Sequence, residues 1–503
     1  MRVDLANQDI TAIQADAIIV NLFEGVREPQ GATGAVNRAL DGLIGTIIEK
    51  GDFDGRSHQT QVIYTPQLPT PRVILVGLGK KEEFDIERVR QAAGSAMGAC
   101  CKTRSRRIAT IVHGVGIGGL DAEACAQATV EGSLLAAYRY QTHRTRSEED
   151  MSLPDTLILV EREEDRLPAF TKGLERGQIL AEATNYARDL VNAPGNFSNP
   201  LQLAESARKL ASQGNLTCDI LNKDKLEELG MGALLAVGQG SAVPPCMIVL
   251  THRGSDPDQL LSLVGKGITY DSGGINLKSG KNMELMRNDM AGGAAVLGAM
   301  QAIDRLKADV TVIGLIPCAE NLPSGHALKP GDVVTAMTGK TIEIISTDAE
   351  GRLLLADAVA YAVLQGATHV VDVATLTGAI GIALGEGIYS GMVANNDELV
   401  KDLLSAASLS GERFWRLPSD PEYRELNKSS IADIRNVGDG LGGAITAGLF
   451  VGEFVADKPW VHLDIAGTCY SKKEGPYQGR GATGVTVRTL TELAVRKAGR
   501  TQA

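Results

Sequence analysis

Four carboxylates in the second half of the chain have the residue type and spacing for chemistry: Asp271, Asp289, Asp348 and Glu350. Asp348 and Glu350 are two residues apart in a segment predicted to be extended, so their side chains should point to the same face. Such a pair could bind a metal ion, or one member could act as a general acid. Alternatively, the pair marks the start of a helix, because the helix dipole favours acidic residues there.

Together, the four carboxylates would bring four negative charges to one site. Unpaired, they would repel strongly, whereas two divalent cations would neutralise them. Oxygen ligands favour Mg²⁺, Mn²⁺ or Zn²⁺. The seven histidines form no HExxH or HxH pair, so a zinc site built on histidine is not expected, and His326 and His462 are interpreted as structural. Cys318 has no evident histidine partner and no GxSxG motif occurs, which argues against a cysteine or serine nucleophile.

Buried strands and helices alternate in both halves of the chain, which predicts an α/β protein. Its length favours two domains, each with a mixed or mostly parallel sheet flanked by helices and with the catalytic domain C-terminal. Ligands of such sheets bind beyond the carboxyl ends of the strands. The predicted strands are 17–20, 73–76, 108–112, 261–264, 310–315, 341–345 and 369–373, and the predicted helices are 87–101, 167–191, 291–303 and 353–364.

A long helix is predicted between the two domains. A Pro-Gly pair directly after it marks its end. The predicted division is an N-terminal α/β domain at 1–166, a linking helix at 167–192 and a catalytic domain at 193–503. The N-terminal half carries little catalytic signal. Its glycine cluster at 114–119 follows a strand and resembles half of a dinucleotide-binding loop, which by itself is only a weak indication of a nucleotide site.

Composition narrows the classes of function. The net charge of −11 and the 4% of aromatic residues argue against nucleic-acid binding, although a nucleic-acid-binding side role for the first half stays an alternative. No apolar stretch is long enough to span a bilayer and no secretory signal is expected at the N-terminus, so no membrane partner is predicted. Seven cysteines without a CxxC spacing favour a reducing compartment, which predicts a cytoplasmic protein.

Two long segments resemble the signature motifs of the leucyl aminopeptidases, also called cytosol aminopeptidases. They are VGKGITYDSGG at 264–274 and TDAEGRL at 347–353, and PGDV at 330–333 and DIAG at 464–467 are also similar to that family. The family usually has Asn in place of Ser346 and Phe in place of Tyr270. Neither position is a metal ligand in the family, so these differences concern substrate positioning and leave the reaction class unchanged.

The resemblance implies a role for each motif residue. Ligands of a tightly bound metal ion would be Lys266, Asp271, Asp289 and Glu350. Asp271, Asp348 and Glu350 would bind a more exchangeable ion. Lys278 and Arg352 would be the catalytic residues that bind no metal, with bicarbonate held at Arg352 as general base. The expected cofactors are two divalent ions per subunit, Mn²⁺ or Zn²⁺, and the expected assembly is a homohexamer.

The resemblance also predicts the reaction and the substrate. A hydroxide that bridges the two metal ions would attack the first peptide bond of a short peptide, with apolar first residues such as leucine preferred. Met286, Thr375 and Gly378 would line the pocket for that residue, with Cys469 nearby. The alternatives are a non-catalytic metal- or nucleic-acid-binding protein of the same fold and a two-metal hydrolase of phosphate esters. The second would require more basic residues near the metal ions.

Overall fold

The computed structural model describes residues 1–145, 153–256 and 258–500. The chain forms two compact units, one of residues 1–182 and 473–479 and the other of residues 183–472 and 480–503. The division along the chain falls within the helix Leu167–Asn192, which the sequence predicts at 167–191. No helix in the described part of the chain is both long enough and apolar enough to cross a membrane.

The first unit contains a sheet with the strand order β1-β6-β5-β2-β4-β3, in which only the β3–β4 pairing is antiparallel among the described strands. Its strands are Arg2–Asn7 (β1), Ala17–Leu22 (β2), Thr60–Tyr64 (β3), Arg72–Gly77 (β4), Arg107–Ile111 (β5) and Thr156–Glu161 (β6). Its helices are Gly31–Ala39 (α1), Leu43–Glu49 (α2), Ile86–Lys102 (α3) and Ala122–Ala137 (α4), and α5 is Leu167–Asn192. Apolar β-branched residues fill β2 and β4, which are buried almost throughout because helices cover the sheet.

The glycine cluster at 114–119 follows β5, as the sequence predicts. The next helix, α4, is capped by Asp121, whose carboxylate accepts a hydrogen bond from the Ala124 amide at 2.9 Å. A carboxylate at that position already uses the positive end of the helix dipole and would repel a phosphate. The local structure therefore favours a turn without a nucleotide.

The second unit is built around a larger mixed sheet with the strand order β16-β15-β18-β14-β9-β11-β8-β7, and β10 pairs with β11. These strands are Thr217–Leu221 (β7), Cys246–His252 (β8), Leu260–Gly265 (β9), Gly267–Asp271 (β10), Thr311–Asn321 (β11), His369–Ala374 (β14), Ser390–Ala394 (β15), Phe414–Arg416 (β16) and Trp460–Asp464 (β18). The neighbours β11, β9, β14 and β18 run parallel. The α/β fold class predicted from the sequence is confirmed.

Helices flank this sheet and small residues let them approach it closely. The helices are Pro200–Ser212 (α6), Lys223–Glu228 (α7), Gly232–Gly238 (α8), Ala291–Arg305 (α9), Gly351–Leu364 (α10), Gly378–Leu384 (α11), Asp397–Ser410 (α12), Pro421–Glu425 (α13), Gly443–Gly452 (α14) and Val487–Arg500 (α15). A Cβ built on Gly292 in α9 would lie 2.1 Å from the carbonyl oxygen of Val373, so only glycine allows this contact. The start of α9 is thereby held against the ends of β9 and β14.

The predicted strand at 341–345 is wrong in length and in place. The strand is Thr341–Glu343 (β13), and it pairs with Val333–Thr335 (β12) and Ile434–Arg435 (β17) in a small separate sheet. Antiparallel pairing with β12, which lies just before it in the chain, draws β13 away from the central sheet. A further small ladder joins Tyr470–Ser471 (β19) and Gly481–Ala482 (β20).

Candidate active site

The candidate residues gather where the parallel strands of the central sheet end. Lys266 joins β9 to β10, Asp271 is the last residue of β10, and Thr375 follows β14. Asp289 lies two residues before α9, and Glu350 directly precedes α10. Since β9 and β14 are parallel neighbours, their carboxyl ends meet at one edge, which is where ligands bind in open α/β sheets.

Lys266 is the buried centre of this cluster. Its Nζ donates to Asp289 Oδ1 at 2.8 Å and to the carbonyl oxygen of Thr375 at 3.0 Å, and it lies 2.8 Å from Glu350 Oε1. Burial lowers the pKa of Lys266, but the Asp289 and Glu350 carboxylates more than offset it, so the pKa is raised. In the protein without metal ions, Lys266 is therefore an ammonium ion held between two carboxylates.

Lys278 forms a second, more accessible centre. Its Nζ lies 2.7 Å from Asp271 Oδ2 and also pairs with Asp348. About a quarter of the Lys278 side chain is exposed (24%), compared with 3% for Lys266. Burial lowers the pKa of Lys278, but its two carboxylate partners raise it by more, so the pKa is raised overall. Lys266 thus pairs with the buried carboxylates of Asp289 and Glu350, and Lys278 pairs with the buried Asp271 and the exposed Asp348.

Asp348 and Glu350 converge by a different route from the one predicted. The segment between β13 and α10 is not extended: Thr347 and Asp348 form a turn, and Glu350 has helical backbone angles (φ −80°, ψ −35°). The alternative interpretation, a helix start, accounts for the position of Glu350 at the N-cap of α10. The turn then brings Asp348 towards Glu350, so strand alternation is not the reason that they share a face.

The donor set fits divalent metal ions. One oxygen each from Asp271, Asp348 and Glu350 lies within 4.8 Å of the other two. Burial and the nearby Glu350 raise the pKa of Asp271, and burial raises the pKa of Asp289 well above its usual range. The four carboxylates are paired with only two lysines, Lys266 and Lys278, which leaves an excess of negative charge at the site. Hard or borderline dications would neutralise that excess and prefer oxygen ligands.

Arg352 lies in the first turn of α10 and is almost fully buried (7% exposed). Its Nη1 donates to the carbonyl oxygen of Asn436 at 2.6 Å, whereas its Nε has no hydrogen-bond partner among the described residues. Burial lowers the pKa of Arg352 to about 10. A buried guanidinium with an unused N–H donor is suited to bind a small anion.

The residues expected to line a substrate pocket lie in the same region. Thr375 Oγ1 donates to Asp289 Oδ1 at 2.6 Å, and the Asp289 amide donates to the Met286 carbonyl oxygen at 3.4 Å. Gly378 opens α11, and a Cβ built there would meet nothing within 4 Å. Burial raises the pKa of the Cys469 thiol to about 12, with Asp289 adding to the effect, so this thiol lies near the cluster and stays protonated.

Several polar residues that support the site were missed in the sequence. Asn321, the last residue of β11, donates from Nδ2 to Asp271 Oδ1 at 2.8 Å and to the Thr347 carbonyl oxygen at 2.9 Å. Thr347 Oγ1 in turn donates to the Gly273 carbonyl oxygen at 2.7 Å. The position of Asn321 at a strand end was a usable signal. Asn436, whose carbonyl oxygen accepts from Arg352, lies 84 positions further along the chain. No motif or strand end in the sequence around it indicated a link to the site.

His462 and Cys318, which were not expected to take part in the chemistry, lie buried in the structure, whereas His326 is exposed. His462 is fully buried, and its Nδ1 lies 2.5 Å from Asp372 Oδ1. Burial raises the pKa of the Cys318 thiol well above its usual value, which disfavours the thiolate that a nucleophile needs.

Comparison with known proteins identifies the family. Residues 185–491 match the catalytic-domain model of the cytosol aminopeptidase family, and residues 19–147 match its N-terminal-domain model. Probable cytosol aminopeptidases from Alkaliphilus metalliredigens and Solibacter usitatus are each 44% identical to this chain, and each alignment covers 98% of this chain and 99% of the relative.

Solved structures agree with the sequence relatives. A mutant of tomato leucine aminopeptidase matches with a TM-score of 0.88 and 33% identity, over 99% of this chain and 96% of its own. The bottromycin maturation enzyme BotP in complex with Mn matches with a TM-score of 0.85 and 35% identity, over 96% of this chain and 100% of its own. The resemblance seen in the sequence motifs is confirmed. Since both domains match along nearly the whole chain, the protein belongs to the cytosol aminopeptidase family, whose members are metal-dependent hydrolases.

Proposed function

We propose that this protein is a two-metal aminopeptidase that releases leucine and other apolar residues from the N-termini of short peptides. The observation that carries the proposal is the gathering of Lys266 and four carboxylates at one sheet edge, beside Lys278 and Arg352. A member of an aminopeptidase family that has kept all of these residues has the groups that the reaction needs.

The metal ions would be held by the buried cluster. Lys266, Asp271, Asp289 and Glu350 would bind one ion, and Asp271, Asp348 and Glu350 the other, with Mn²⁺ or Zn²⁺ as the expected metals. Lys266 would have to release its ammonium proton to solvent, because only the neutral amine can bind a metal ion. When bound, such ions polarise a carbonyl oxygen and lower the pKa of a coordinated water. A structural match bound to Mn supports this metal, and the oxygen-rich donor set supports either one.

Lys278 and Arg352 would act on the reacting groups. Lys278 is the more exposed of the two lysines, so its ammonium group can approach the scissile carbonyl and stabilise the negative charge that develops there. Arg352 has a buried Nε without a partner among the described residues, which supports a bound small anion such as bicarbonate. That anion would accept and pass on a proton.

The proposed pocket favours apolar first residues. Met286 is unbranched and adaptable, and the open space at Gly378 leaves room for a side chain. We expect leucine and methionine to be preferred over aspartate, glutamate and glycine. The preference should be broad, because one missing methylene is worth only about 1–3 kcal/mol.

Family membership also supports a proposal for the assembly and the location. We propose a homohexamer in the cytoplasm, acting on short peptides. The family name and the reducing environment that seven free cysteines favour support the location. Size-exclusion chromatography with light scattering tests the assembly.

Hydrolysis of a leucyl dipeptide tests the activity. Chelation should abolish cleavage, Mn²⁺ or Zn²⁺ should restore it, and the N-acetylated dipeptide should stay intact. Asp348→Asn should lose activity, whereas the matched control Asp332→Asn, which removes a carboxylate paired with Lys329, should keep it. Cleavage of the acetylated substrate would contradict the proposal, and metal binding without any hydrolysis would favour a non-catalytic binding protein.

A further inference from the structure

A buried asparagine outside the proposed ligand set contacts the segment that carries Asp348. Asn436 follows β17, and its backbone amide donates to the Glu343 carbonyl oxygen of β13 at 3.0 Å. Its side chain is completely buried, so it cannot contact a peptide substrate. Any effect of Asn436 on the reaction must therefore pass through its neighbours.

The side-chain amide of Asn436 uses its full hydrogen-bonding capacity on one stretch of backbone. Its Oδ1 accepts from the Ile345 amide at 2.8 Å and from the Ser346 amide at 3.3 Å. Its Nδ2 donates to the carbonyl oxygens of Ser346 at 2.7 Å and Ala349 at 3.4 Å. An asparagine has two N–H donors and two acceptor lone pairs. A reversed amide would set oxygen against two carbonyls, so the orientation is unambiguous.

The backbone of Asn436 reaches a second functional group. Its carbonyl oxygen accepts from Arg352 Nη1 at 2.6 Å. One residue therefore contacts the segment before Glu350 through its side chain and the proposed anion-binding arginine through its main chain. These contacts span more than eighty positions along the chain.

The segment at 345–349 needs such a partner. It lies between β13 and α10, with a turn at Thr347 and Asp348, and no ladder of strand hydrogen bonds satisfies its backbone. Four of its backbone groups bond to the Asn436 side chain, while the Thr347 amide and carbonyl bond to the side chains of Asn276 and Asn321. Asn436 therefore supplies more of the partners that hold this path than either of the other two side chains.

We infer that Asn436 is a positioning residue of the proposed active site. Its side chain bonds to the backbone at 345–349 and thereby sets where the Asp348 carboxylate lies, whereas its main-chain carbonyl oxygen holds Arg352 Nη1. The inference rests on the proposed function for its kinetic consequence. Its consequence for metal binding does not depend on turnover.

The test compares Asn436→Ala with Asn427→Ala. Asn427 is a matched control because it is also a buried asparagine of the same C-terminal segment. Its Nδ2 donates to the Thr446 carbonyl oxygen at 2.9 Å, and among the described residues its side chain is not hydrogen-bonded to any of the proposed metal ligands. Asn436→Ala loses four buried side-chain hydrogen bonds and Asn427→Ala loses one, so the melting temperature should fall more in the first variant. Only Asn436→Ala should alter the site.

We expect Asn436→Ala to lower kcat by about 10–100-fold, with KM for a leucyl substrate changed by less than about three-fold, as for other residues that orient ligands. The Mn²⁺ concentration for half-saturation, measured by titration of the metal-free protein, should rise by about 10–100-fold. Asn427→Ala should stay within about two-fold of the wild type in both measurements.

Asn436→Ala keeps the main-chain carbonyl that accepts from Arg352 Nη1, so its effects report the side-chain contacts with the backbone at 345–349. If Asn436→Ala does not fold, Asn436→Asp serves instead, since it keeps the shape but sets an oxygen against the carbonyls of Ser346 and Ala349.

Values of kcat and Mn²⁺ affinity in the folded Asn436 variant that match those of Asn427→Ala would overturn the inference. A wild type without peptidase activity would refute the proposed function, and the Mn²⁺ titration would then still decide whether Asn436 positions the ligands.

Discussion

Replacing Gly351 with alanine should inactivate the site without unfolding the protein. Gly351 is the first residue of α10, and it lies against the side chain of Lys266. A Cβ at this position would lie 2.4 Å from Lys266 Cε, 2.6 Å from Nζ and 2.8 Å from Cδ. The added methyl group would therefore occupy space that Lys266 fills.

The size of the displacement follows from these distances. Ordinary contacts begin at 3.4 Å, so Cε must move by about 1.0 Å, which is 3.4 minus 2.4. The end of a lysine is usually flexible, but here Nζ is held by Asp289, Glu350 and the Thr375 carbonyl at 2.8–3.0 Å. A misplacement of 1 Å at a reactive centre can cost on the order of 100-fold in rate. We expect a loss of about that size in kcat/KM.

The fold should tolerate the change. Alanine is favoured over glycine in a helix interior by about 1 kcal/mol, and the gain at the first helical position should be smaller. Gly98→Ala in α3 is the matched control, because a Cβ there meets nothing within 4 Å. We expect it to keep full activity and to equal or exceed the wild type in melting temperature.

Three measurements on each variant decide the matter: dipeptide hydrolysis, metal content after dialysis and thermal unfolding. Gly351→Ala should lose activity and bind metal more weakly at a melting temperature close to that of the wild type. If it keeps kcat/KM within about three-fold of the wild type with a full metal content, the close packing of Lys266 does not matter for the reaction. A collapse of the melting temperature would show instead that the methyl group disrupts the fold.

Further predictions concern individual side chains. Lys278→Ala and Arg352→Ala should each keep two metal ions by elemental analysis but lose roughly 100–1,000-fold in turnover, the usual cost of one stabilising donor; near-normal turnover would exclude the assigned role. Lys266→Arg should retain fewer than two tightly bound ions, because arginine cannot deprotonate in proteins; two ions would show that Lys266 is not a ligand. Burial raises the pKa of Asp357 to about 7, from 3.8. The folded state therefore binds more protons than the unfolded state between these values, and the free energy of unfolding falls by up to roughly 4 kcal/mol as pH rises through this window. Thermal unfolding of Asp357→Asn should lack this dependence, and parallel pH profiles would contradict the pKa.

The fold was largely predictable because buried strands and helices have strong local patterns. The runs at 261–264 and 369–373 are apolar and β-branched, and both are strands of the central sheet. The run at 341–345 is also rich in β-branched residues but forms a short strand in another sheet. Composition cannot distinguish these cases, because the sheet that a strand joins depends on its pairing partner. The partner of β13 is β12, which lies just before it in the chain.

The grouping of the carboxylates was predictable from strand ends and motifs, but their partners were not. In the structure Lys266 pairs with Asp289 and Glu350. Spacing along the chain cannot specify such a choice, since Glu350 reaches Lys266 only through the position of α10. Asn436 was not detectable for the same reason: its contacts are made across more than eighty residues.

The difference between the two lysines gives a physical reason for their separate proposed roles. Lys266 sits in the link between two strands of the sheet, is almost fully buried, and has three fixed acceptors around Nζ. Because these contacts fix the position of Nζ, the amine would occupy a constant place among the metal ligands once it has lost its proton. Lys278 lies in the loop after β10 and is partly exposed, so it can move between its carboxylate partners and an incoming substrate. A metal ion that neutralises Asp271 and Asp348 would weaken the pairing of Lys278 with both. The same carboxylates would then bind the ion and leave the ammonium group free to act on the peptide.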